Sequence, residues 1–269
     1  MNSTERAFRK TVYAYYREHK RVLPWRVSVT PYKVLVSEVM LQQTQAERVV
    51  PKFREFLRTF PSLASLGAAP LSHVLSCWSG LGYNRRARFL HESAKIIATQ
   101  HNGWVPRSVA ELEKLPGIGA YSARAIAAFA YNEAHPFIET NIRAVYIHHF
   151  FPKKKVIADS ELLPIIKRTL DTKNPREWYA ALMDYGAYLK KEQGNPSRRS
   201  QTHTRQSAFK GSRRELRGHL LKELLKKPAT VKRLSKEMHR SEKEIAEALA
   251  VLARDGLIVQ KGLSFSVSS

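Results

Sequence analysis

The chain has 269 residues, and its 46 lysines and arginines against 23 aspartates and glutamates give a formal net charge of +23. So large a positive excess excludes an ordinary neutral cytosolic enzyme that acts on small metabolites, and it favours a polyanionic partner. No run of eighteen apolar residues occurs and no apolar segment follows the polar N-terminus, so we expect neither a membrane span nor a signal peptide. The single cysteine, Cys77, excludes an intramolecular disulfide and a multi-cysteine metal site.

Apolar residues recur with helical spacing from the start of the chain. A basic helix is predicted over about residues 4–19, and a proline-containing loop follows at residues 23–26. Thr30 is typical of a helix N-cap and Pro31 of the first helical position, so a second helix is predicted to begin there.

Glu38 stands inside that second helix, between apolar neighbours such as Leu35 and Val39. If it faces the interior, desolvation raises the pKa of its carboxyl, and a carboxylic acid with a raised pKa can act as a general acid. If it faces solvent beside Lys33 and Gln42, it is an ordinary surface charge. Periodicity alone leaves both positions open.

A loop at residues 80–83 contains two glycines and ends in Tyr83. Arg85, Arg86 and Arg88 follow it. An aromatic ring on a flexible turn with cations nearby suits insertion into a base stack that has lost a nucleotide. A solvated helix face is the alternative for the arginines.

Residues 115–121 predict the end of one helix, a tight turn and a second helix that begins near Gly119. The two glycines allow a sharp turn and leave backbone N–H groups uncovered at a helix N-terminus, where a phosphate can dock. This pattern indicates a helix-hairpin-helix motif whose DNA-facing residues are Leu115, Gly117, Ile118 and Gly119. An ordinary corner between two helices is the alternative.

Glu139 and Asn141 lie about twenty residues further on, at the start of an apolar helix rather than on a solvated face. Such a carboxylate is a candidate for catalysis. It is also well placed to cap the helix, because its negative charge would lie beside the N-terminal end of the helix dipole.

These segments together resemble the helix-hairpin-helix (HhH-GPD) DNA glycosylases, which excise damaged or mispaired bases. Residues 37–45 closely resemble the signature of the adenine-specific, MutY-type branch, and residues 23–26, 30–34 and 80–83 also look like that branch. The similarity covers roughly residues 20–190. It implies an all-α fold with two helical lobes.

In that family, the residue that matches Glu38 protonates the departing base, and an aspartate stands where this chain has Glu139, with Asn141 nearby. The substituted glutamate keeps the charge and is one methylene longer. Thr140 replaces the glycine that is usual in the adenine-specific branch. Tyr121 stands where bifunctional relatives have a lysine, and because a phenol cannot form an imine, we expect base removal without strand cleavage. Tyr121 is then expected to form a hydrogen bond with Glu139.

The resemblance also implies that Gln42 and Gln43 reach into the DNA stack and that Tyr83 acts as a wedge. Trp25 and Arg26 are assigned to the base pocket on the same grounds.

The resemblance ends after Lys190, where relatives continue into four cysteines that hold an iron–sulfur cluster. This chain has no such cysteines, so no cluster is expected. No metal site is predicted, although the carbonyl oxygens of the hairpin are a candidate position for a monovalent or divalent cation. Residues 191–212 form a basic linker by composition, either a disordered tether or a loop that follows phosphates through Arg198 and Arg199.

The last part of the chain has the pattern of three helices and a β-hairpin, which resembles a winged helix at pattern level only. Ser241 and Glu244 form a capping box at the third helix. That helix also carries Glu242 and Glu247, which disfavours deep reading of the major groove. The module is too short to be the large domain with which MutY-type enzymes recognise 8-oxoguanine.

The predicted organisation is a glycosylase domain at residues 1–190, a linker at 191–212 and a winged-helix module at 213–269. The predicted function is a monofunctional DNA glycosylase of base excision repair, with adenine opposite 8-oxoguanine or guanine as the leading substrate. A thymine or uracil mismatch glycosylase is the alternative enzyme, and a non-catalytic DNA-binding or regulatory protein is the alternative from another class. The expected partner is double-stranded DNA with a mispaired or damaged base, bound by a cytoplasmic, nucleoid-associated monomer without a membrane partner.

Overall fold

The computed structural model of the chain describes residues 1–204, 208–209 and 211–268. Helices of the first part are α1 (Ser3–His19), α2 (Pro24–Val27), α3 (Pro31–Leu41), α4 (Ala46–Thr59), α5 (Leu63–Ala68), α6 (Leu71–Trp78), α7 (Arg85–Gln100), α8 (Val109–Glu113), α9 (Ala120–Tyr131), α10 (Thr140–Phe150), α11 (Asp159–Thr169), α12 (Pro175–Glu192) and a 3₁₀ helix (Pro196–Arg199). The remainder contains α13 (Arg213–Lys226), β1 (Ala229–Thr230), α14 (Val231–Met238), α15 (Glu242–Arg254), β2 (Ile258–Lys261) and β3 (Ser264–Val267). The predicted all-α fold with a small C-terminal domain is confirmed.

Contacts divide the chain into two compact units. Unit 1 consists of Met1–Glu38, Pro106–Lys114 and Ile118–Arg205, and unit 2 of Val39–Val105, Leu115–Gly117 and Gln206–Ser269. Within the described ranges, no helix combines the length and the apolar character needed to cross a bilayer.

Aromatic side chains form much of the core of unit 1. Phe8 of α1 lies 5.0 Å from Tyr146 of α10 and 5.9 Å from Trp178 of α12, measured between ring centroids. Phe137 stacks on Tyr179 at 3.9 Å. All five rings are buried, and each removes roughly 150–250 Å² from water. The core therefore fixes α1 and the start of α10 against α12.

Local signals set most helix boundaries. α3 begins at Pro31 and α9 begins directly after Gly119, both as the sequence predicts. The loop expected at residues 23–26 is instead the one-turn helix α2. The reason is Pro24 at its first position, where the fixed φ of proline suits a helix and its missing N–H costs no hydrogen bond.

The C-terminal module has the helix order and β-hairpin that the sequence predicts. Its sheet has the order β1-β3-β2, with Ala229 opposite Phe265 and Ile258 opposite Val267, both pairs antiparallel. Strand β1 was not predicted, because two residues carry no alternation. Thr230 caps α14 and Ser241 caps α15. The predicted boundaries of this module stay a prediction.

Part of the predicted linker is ordered as an extension of unit 1. Arg199 donates to the carbonyl oxygens of Phe151 and Pro152, at 2.6 and 3.1 Å, where α10 ends with unpaired carbonyls. Ile157 and Ser200 form a parallel β-bridge. The disordered-tether alternative is therefore wrong for this part, and Arg199 binds backbone rather than standing free for phosphate. Residues 205–207 and 210 of the predicted linker region lie outside the described residues.

Candidate active site

Glu38 lies near the C-terminal end of α3 and is buried. Every residue from 34 to 40 is buried, so α3 is enclosed on all sides. A side chain in this stretch is therefore buried whichever face of the helix it occupies. The exposed fraction of Glu38 is 7%. The solvent-facing alternative is thereby excluded.

Burial raises the pKa of the Glu38 carboxyl to about 8, because the interior solvates a negative charge poorly. The negative charge of Glu139 raises it further, and the positive charge of Arg26 acts in the opposite direction. Among the described residues, no hydrogen bond stabilises the charged form of Glu38. The Glu38 carboxyl is therefore protonated at neutral pH.

Glu139 is the N-cap of α10, so the capping role considered from the sequence is present. Its Oε1 accepts from the backbone N–H groups of Asn141 and Ile142, at 2.6 and 2.8 Å, and its Oε2 accepts from the Asn141 side chain at 3.2 Å. The pKa of Glu139 lies above its ordinary value, because burial outweighs the backbone donors and the charges of Lys190 and Arg143, which act in the opposite direction. Three donors favour the carboxylate of Glu139 and none favours that of Glu38, so Glu139 is the member of the pair better suited to carry the negative charge.

Two residues of α12 fix Asn141 from the other side. Lys190 Nζ donates to Asn141 Oδ1 at 3.2 Å. A Cβ on Gly186 would lie 2.3 Å from the backbone oxygen of Asn141, so only glycine allows α12 to approach so closely. Sequence reasoning missed both residues. The available signal was their spacing, since positions four apart share one helix face.

Tyr121 of α9 adjoins the two carboxyls. Burial raises the pKa of its phenol, and the charges of Glu38 and Glu139 raise it further. The ring packs edge-on against Phe137 at 5.7 Å. The expected hydrogen bond from Tyr121 to Glu139 is absent from the described residues, because backbone and side-chain N–H groups at the start of α10 approach that carboxylate instead.

Trp25 and Arg26, assigned to the base pocket from the resemblance, lie in α2. Trp25 is buried, and Arg26 Nη1 donates to Asp184 Oδ2 at 2.8 Å. Asp184 also accepts from the backbone N–H and the Nε of Arg21. The buried Asp184 thus holds the segment before α3, and it is another residue that the sequence analysis did not place in the site. The sequence signal for Asp184 was its position as an acidic residue within the otherwise apolar pattern of α12.

Unit 1 therefore contains two buried carboxyls in different surroundings: Glu38 has no hydrogen-bond donor among the described residues, and Glu139 accepts from three donors. Such a pair can protonate a leaving group and stabilise a developing positive charge. The four predicted catalytic residues, Glu38, Tyr121, Glu139 and Asn141, all belong to this unit.

Residues predicted to contact DNA lie mostly in unit 2. Gln42 Nε2 donates to the carbonyl oxygen of Gly117 at 3.2 Å, which ties the turn after α3 to the hairpin. Gly117 has φ +74°, and a Cβ there would lie 2.7 Å from the Phe89 ring. The left-handed backbone and the close contact with Phe89 both require glycine at position 117.

The side chains of Leu115 and Ile118 are buried. They support the hairpin, so only its backbone can contact a phosphate. Gly119 caps α9 without a side-chain hydrogen bond, which leaves the first N–H groups of that helix without a capping side chain.

Gln43 and Tyr83 have left-handed backbone conformations, with φ of +55° and +49°. The other four such non-glycine residues in the described ranges are asparagines and a histidine, which tolerate this region better. Backbone strain of this kind costs on the order of 1–3 kcal/mol and concentrates at binding and catalytic sites. It supports the predicted insertion role of both residues.

Arg86 is buried and bonded to the backbone. Its Nη1 donates to the carbonyl oxygens of Val39, Met40 and Gln42, at 2.8, 2.8 and 2.6 Å. Burial lowers the pKa of Arg86 to about 10. We therefore assign Arg86 to holding the turn after α3 rather than to phosphate.

The remaining predicted arginines differ in accessibility. Arg88 is engaged with protein, since it donates to Glu92 at 2.8 Å and to the carbonyl oxygen of Asp255 at 2.6 Å. Arg85 is 59% exposed and pairs with Asp255 at 3.4 Å. Arg198 is exposed. Arg85 and Arg198 thus remain accessible to phosphate.

In the described part of the chain, no group of three or more histidine, cysteine, aspartate or glutamate side chains could hold a metal ion. The cation considered for the hairpin carbonyls stays a prediction.

Residues 36–167 match the family described as HhH-GPD superfamily base excision DNA repair protein. Glu38, Tyr121 and Glu139 all lie in the matched segment. The matched segment, just under half of the chain, is thus similar to this superfamily.

Two similar curated proteins are both named adenine DNA glycosylase. The chain is 36% identical over 191 residues to an adenine DNA glycosylase of Buchnera aphidicola subsp. Baizongia pistaciae, covering 69% of this chain and 54% of that protein. It is 41% identical over 177 residues to the adenine DNA glycosylase of Mycolicibacterium smegmatis, covering 65% and 60%. The chain thus spans about half the length of the curated relatives it matches.

Solved structures support the fold. A thermostable thymine-DNA glycosylase aligns with a TM-score of 0.63 at 22% identity, covering 72% of this chain and 91% of that one. An endonuclease III structure in a non-covalent DNA complex aligns with a TM-score of 0.59 at 18% identity, covering 72% and 90%.

Proposed function

We propose that the chain is a monofunctional DNA glycosylase of base excision repair that hydrolyses the N-glycosidic bond of a mispaired base, with adenine as the leading substrate. The observation that carries this proposal is the pair of buried carboxyls in unit 1. Burial raises the pKa of Glu38 to about 8, so Glu38 holds a proton at neutral pH, and three N–H donors at the N-terminus of α10 favour a negative charge on Glu139. The choice of adenine rests on the segment 37–45 and on the names of the curated relatives.

In the proposed reaction, Glu38 donates its proton to a ring nitrogen of the flipped base. The electron pair of the glycosidic bond leaves with the base, so positive charge develops at the sugar C1′. The Glu139 carboxylate stabilises that charge until a water adds to C1′ and releases a proton. Asn141 and Lys190 orient Glu139 through the hydrogen bonds described above.

The absence of an amine nucleophile at Tyr121 supports hydrolysis without strand cleavage. A lysine at that position would attack C1′ and form an imine, which a phenol cannot do. Borohydride treatment during turnover should therefore trap no covalent complex with DNA. A trapped complex would overturn the monofunctional assignment.

Duplex DNA with a mispaired base is the proposed partner, bound by a monomer associated with the nucleoid. The net charge of +23 supports a polyanion. An iron–sulfur cluster does not fit this chain, since one cysteine cannot supply four thiolates. We propose that the enzyme acts without one, and purified protein should contain no stoichiometric iron.

A substrate panel tests the proposal. Enzyme in excess is incubated with duplexes that carry adenine opposite 8-oxoguanine, adenine opposite guanine, thymine opposite guanine, uracil opposite guanine, or hypoxanthine. Alkali-labile sites should form fastest on the adenine duplexes. Faster release of thymine or uracil would assign the mismatch alternative, and no release from any duplex would favour the non-catalytic DNA-binding protein.

Glu139 requires its own test, because it is both a helix cap and the proposed charge. Glu139→Asp keeps the charge and should retain measurable activity, whereas Glu139→Gln should lose a catalytic contribution of about 3–4 kcal/mol. A lost cap costs only ~1 kcal/mol of stability. Single-turnover rates and thermal melts separate the two effects. A Glu139→Gln enzyme that is fully active but less stable would reduce Glu139 to a cap.

A further inference from the structure

A cavity of about 450 Å³ lies within unit 2, between the loop that carries Tyr83 and the helices α13 and α15 of the C-terminal module. Its volume is in the range of about 300–1,000 Å³ that is usual for small-ligand sites. Gln42 and Gln43 line one side, and Arg214 and Arg217 of α13 line another. The C-terminal module therefore shares one cavity with the predicted DNA-contacting loops.

Arg214 joins α13 to the Tyr83 loop directly. Its guanidinium donates to the Tyr83 hydroxyl and lies 5.4 Å from the centre of the ring. Arg86 lies 5.5 Å from the same ring centre. Two cations thus pack on Tyr83, and this residue, whose backbone is strained, is contacted from both α7 and α13.

The end of α15 is fixed to α7 in the same unit. Arg88 donates to the carbonyl oxygen of Asp255, and a Cβ on Gly256 would lie 2.1 Å from its guanidinium. Gly256 has φ +67°, so both the turn and the close approach require glycine. These contacts give the cavity a defined wall.

Charge at the cavity is strongly positive. Among the described residues, its lining includes the guanidinium groups of Arg85, Arg86, Arg214 and Arg217 against the single carboxylate of Asp255. Asp255 already pairs with Arg85. Arg217 is half-buried, and no hydrogen bond or ion pair to it occurs within the described ranges. A half-buried cation of this kind can contribute fully to binding an anion, because no protein carboxylate competes for it.

We propose that this cavity binds a nucleotide of the DNA duplex, with Arg217 holding its phosphate. The inference rests on the proposed function only in taking DNA as the ligand. Amide side chains, an aromatic ring and the guanidinium group of Arg217 are together the chemistry that recognises a sugar–phosphate backbone and its base. The C-terminal module is then a part of the DNA-binding surface through α13, and not through the acidic helix α15.

The test measures the salt dependence of binding to an undamaged duplex by fluorescence anisotropy with the full chain. Arg217→Met should reduce the slope of log K against log[salt] by about 1, the loss of one phosphate contact. Arg217→Lys keeps the charge and should restore most of the slope. Arg240→Met is the matched control, since Arg240 belongs to the same module, is exposed and does not line the cavity.

An unchanged slope in Arg217→Met would overturn the proposal. An equal reduction in Arg240→Met would also overturn it, because binding would then depend on the general charge of the module. A loss that Arg217→Lys does not restore would assign the effect to packing and contradict a phosphate contact. Undamaged DNA needs no base release, so an inactive protein with the expected slopes would refute the proposed function and leave this inference intact.

Discussion

Replacing Glu38 by glutamine should make the protein more stable while it abolishes base release. A carboxyl whose pKa rises from 4.5 to about 8 on folding is deprotonated in the unfolded chain at neutral pH but protonated in the native state. The difference costs up to about 5 kcal/mol of folding free energy at high pH. Glutamine has nearly the same shape and no charge to desolvate, so most of this cost disappears.

The sign of the pH dependence follows from proton binding. Because the native state binds the Glu38 proton more tightly, wild-type stability falls as pH rises from 4.5 to about 8 and is lowest above that value. The stability gained by Glu38→Gln should therefore be small near pH 5 and largest above pH 8. For a chain of this size, several kcal/mol corresponds to a rise in Tm of roughly 10 °C.

Thermal melts at pH 5, 7 and 8.5 measure this difference. Glu5→Gln is a control in which the change in stability should have the opposite sign. The hydrogen bond from Arg168 lowers the pKa of Glu5, so loss of the Glu5 charge should destabilise the protein at neutral pH. In the same buffers, the single-turnover rate of the wild type should fall above pH 8 as Glu38 loses its proton. A Glu38→Gln protein that is less stable than the wild type at pH 8.5 would show that Glu38 is not held protonated, and its proposed role as an acid would fail.

Two further changes act on the support of the carboxylate. Gly186→Ala places a Cβ 2.3 Å from a backbone oxygen at the start of α10, so it should lower both Tm and the excision rate. Gly218→Ala is its control, because Gly218 lies in open space on α13 and alanine there should raise Tm slightly. Lys190→Met removes a charge that lowers the pKa of Glu139, so the acidic limb of the rate–pH profile should move to higher pH. Exposed Lys191→Met is its control, and an identical acidic limb in both variants would exclude this role for Lys190.

Much of the fold could be predicted because its signals are local. Thr30 and Pro31 predict the start of α3, the glycines at 117 and 119 predict the hairpin, and Ser241 predicts the start of α15. Each of these signals depends on residues within one helical turn. The two-residue strand β1 has no such signal and could not be predicted.

Most of the support of the candidate site could not be predicted, because it depends on contacts between residues distant in the sequence. Lys190 reaches Asn141 across 49 positions, and Arg214 reaches Tyr83 across 131. A lysine or an arginine on a helix is ordinarily a solvated charge, so although the spacing of Gly186 and Lys190 shows that they share one helix face, it does not identify the residue that this face contacts. Arg199 shows the opposite error. Its basic sequence surroundings predict a phosphate contact, whereas in the structure it donates to backbone carbonyl oxygens.

The division of charge between Glu38 and Glu139 follows from where each stands in its helix. Glu38 comes near the end of α3, where the backbone N–H groups are already used and the helix dipole opposes a negative charge. Glu139 precedes α10, where two free N–H groups bind it and the dipole favours ionisation. Identical side chains in one unit thus have different surroundings, which suit Glu38 to act as an acid and Glu139 to act as an anion. An aspartate at position 139 could cap the same N–H groups, so the glutamate should preserve the charge and alter only its reach.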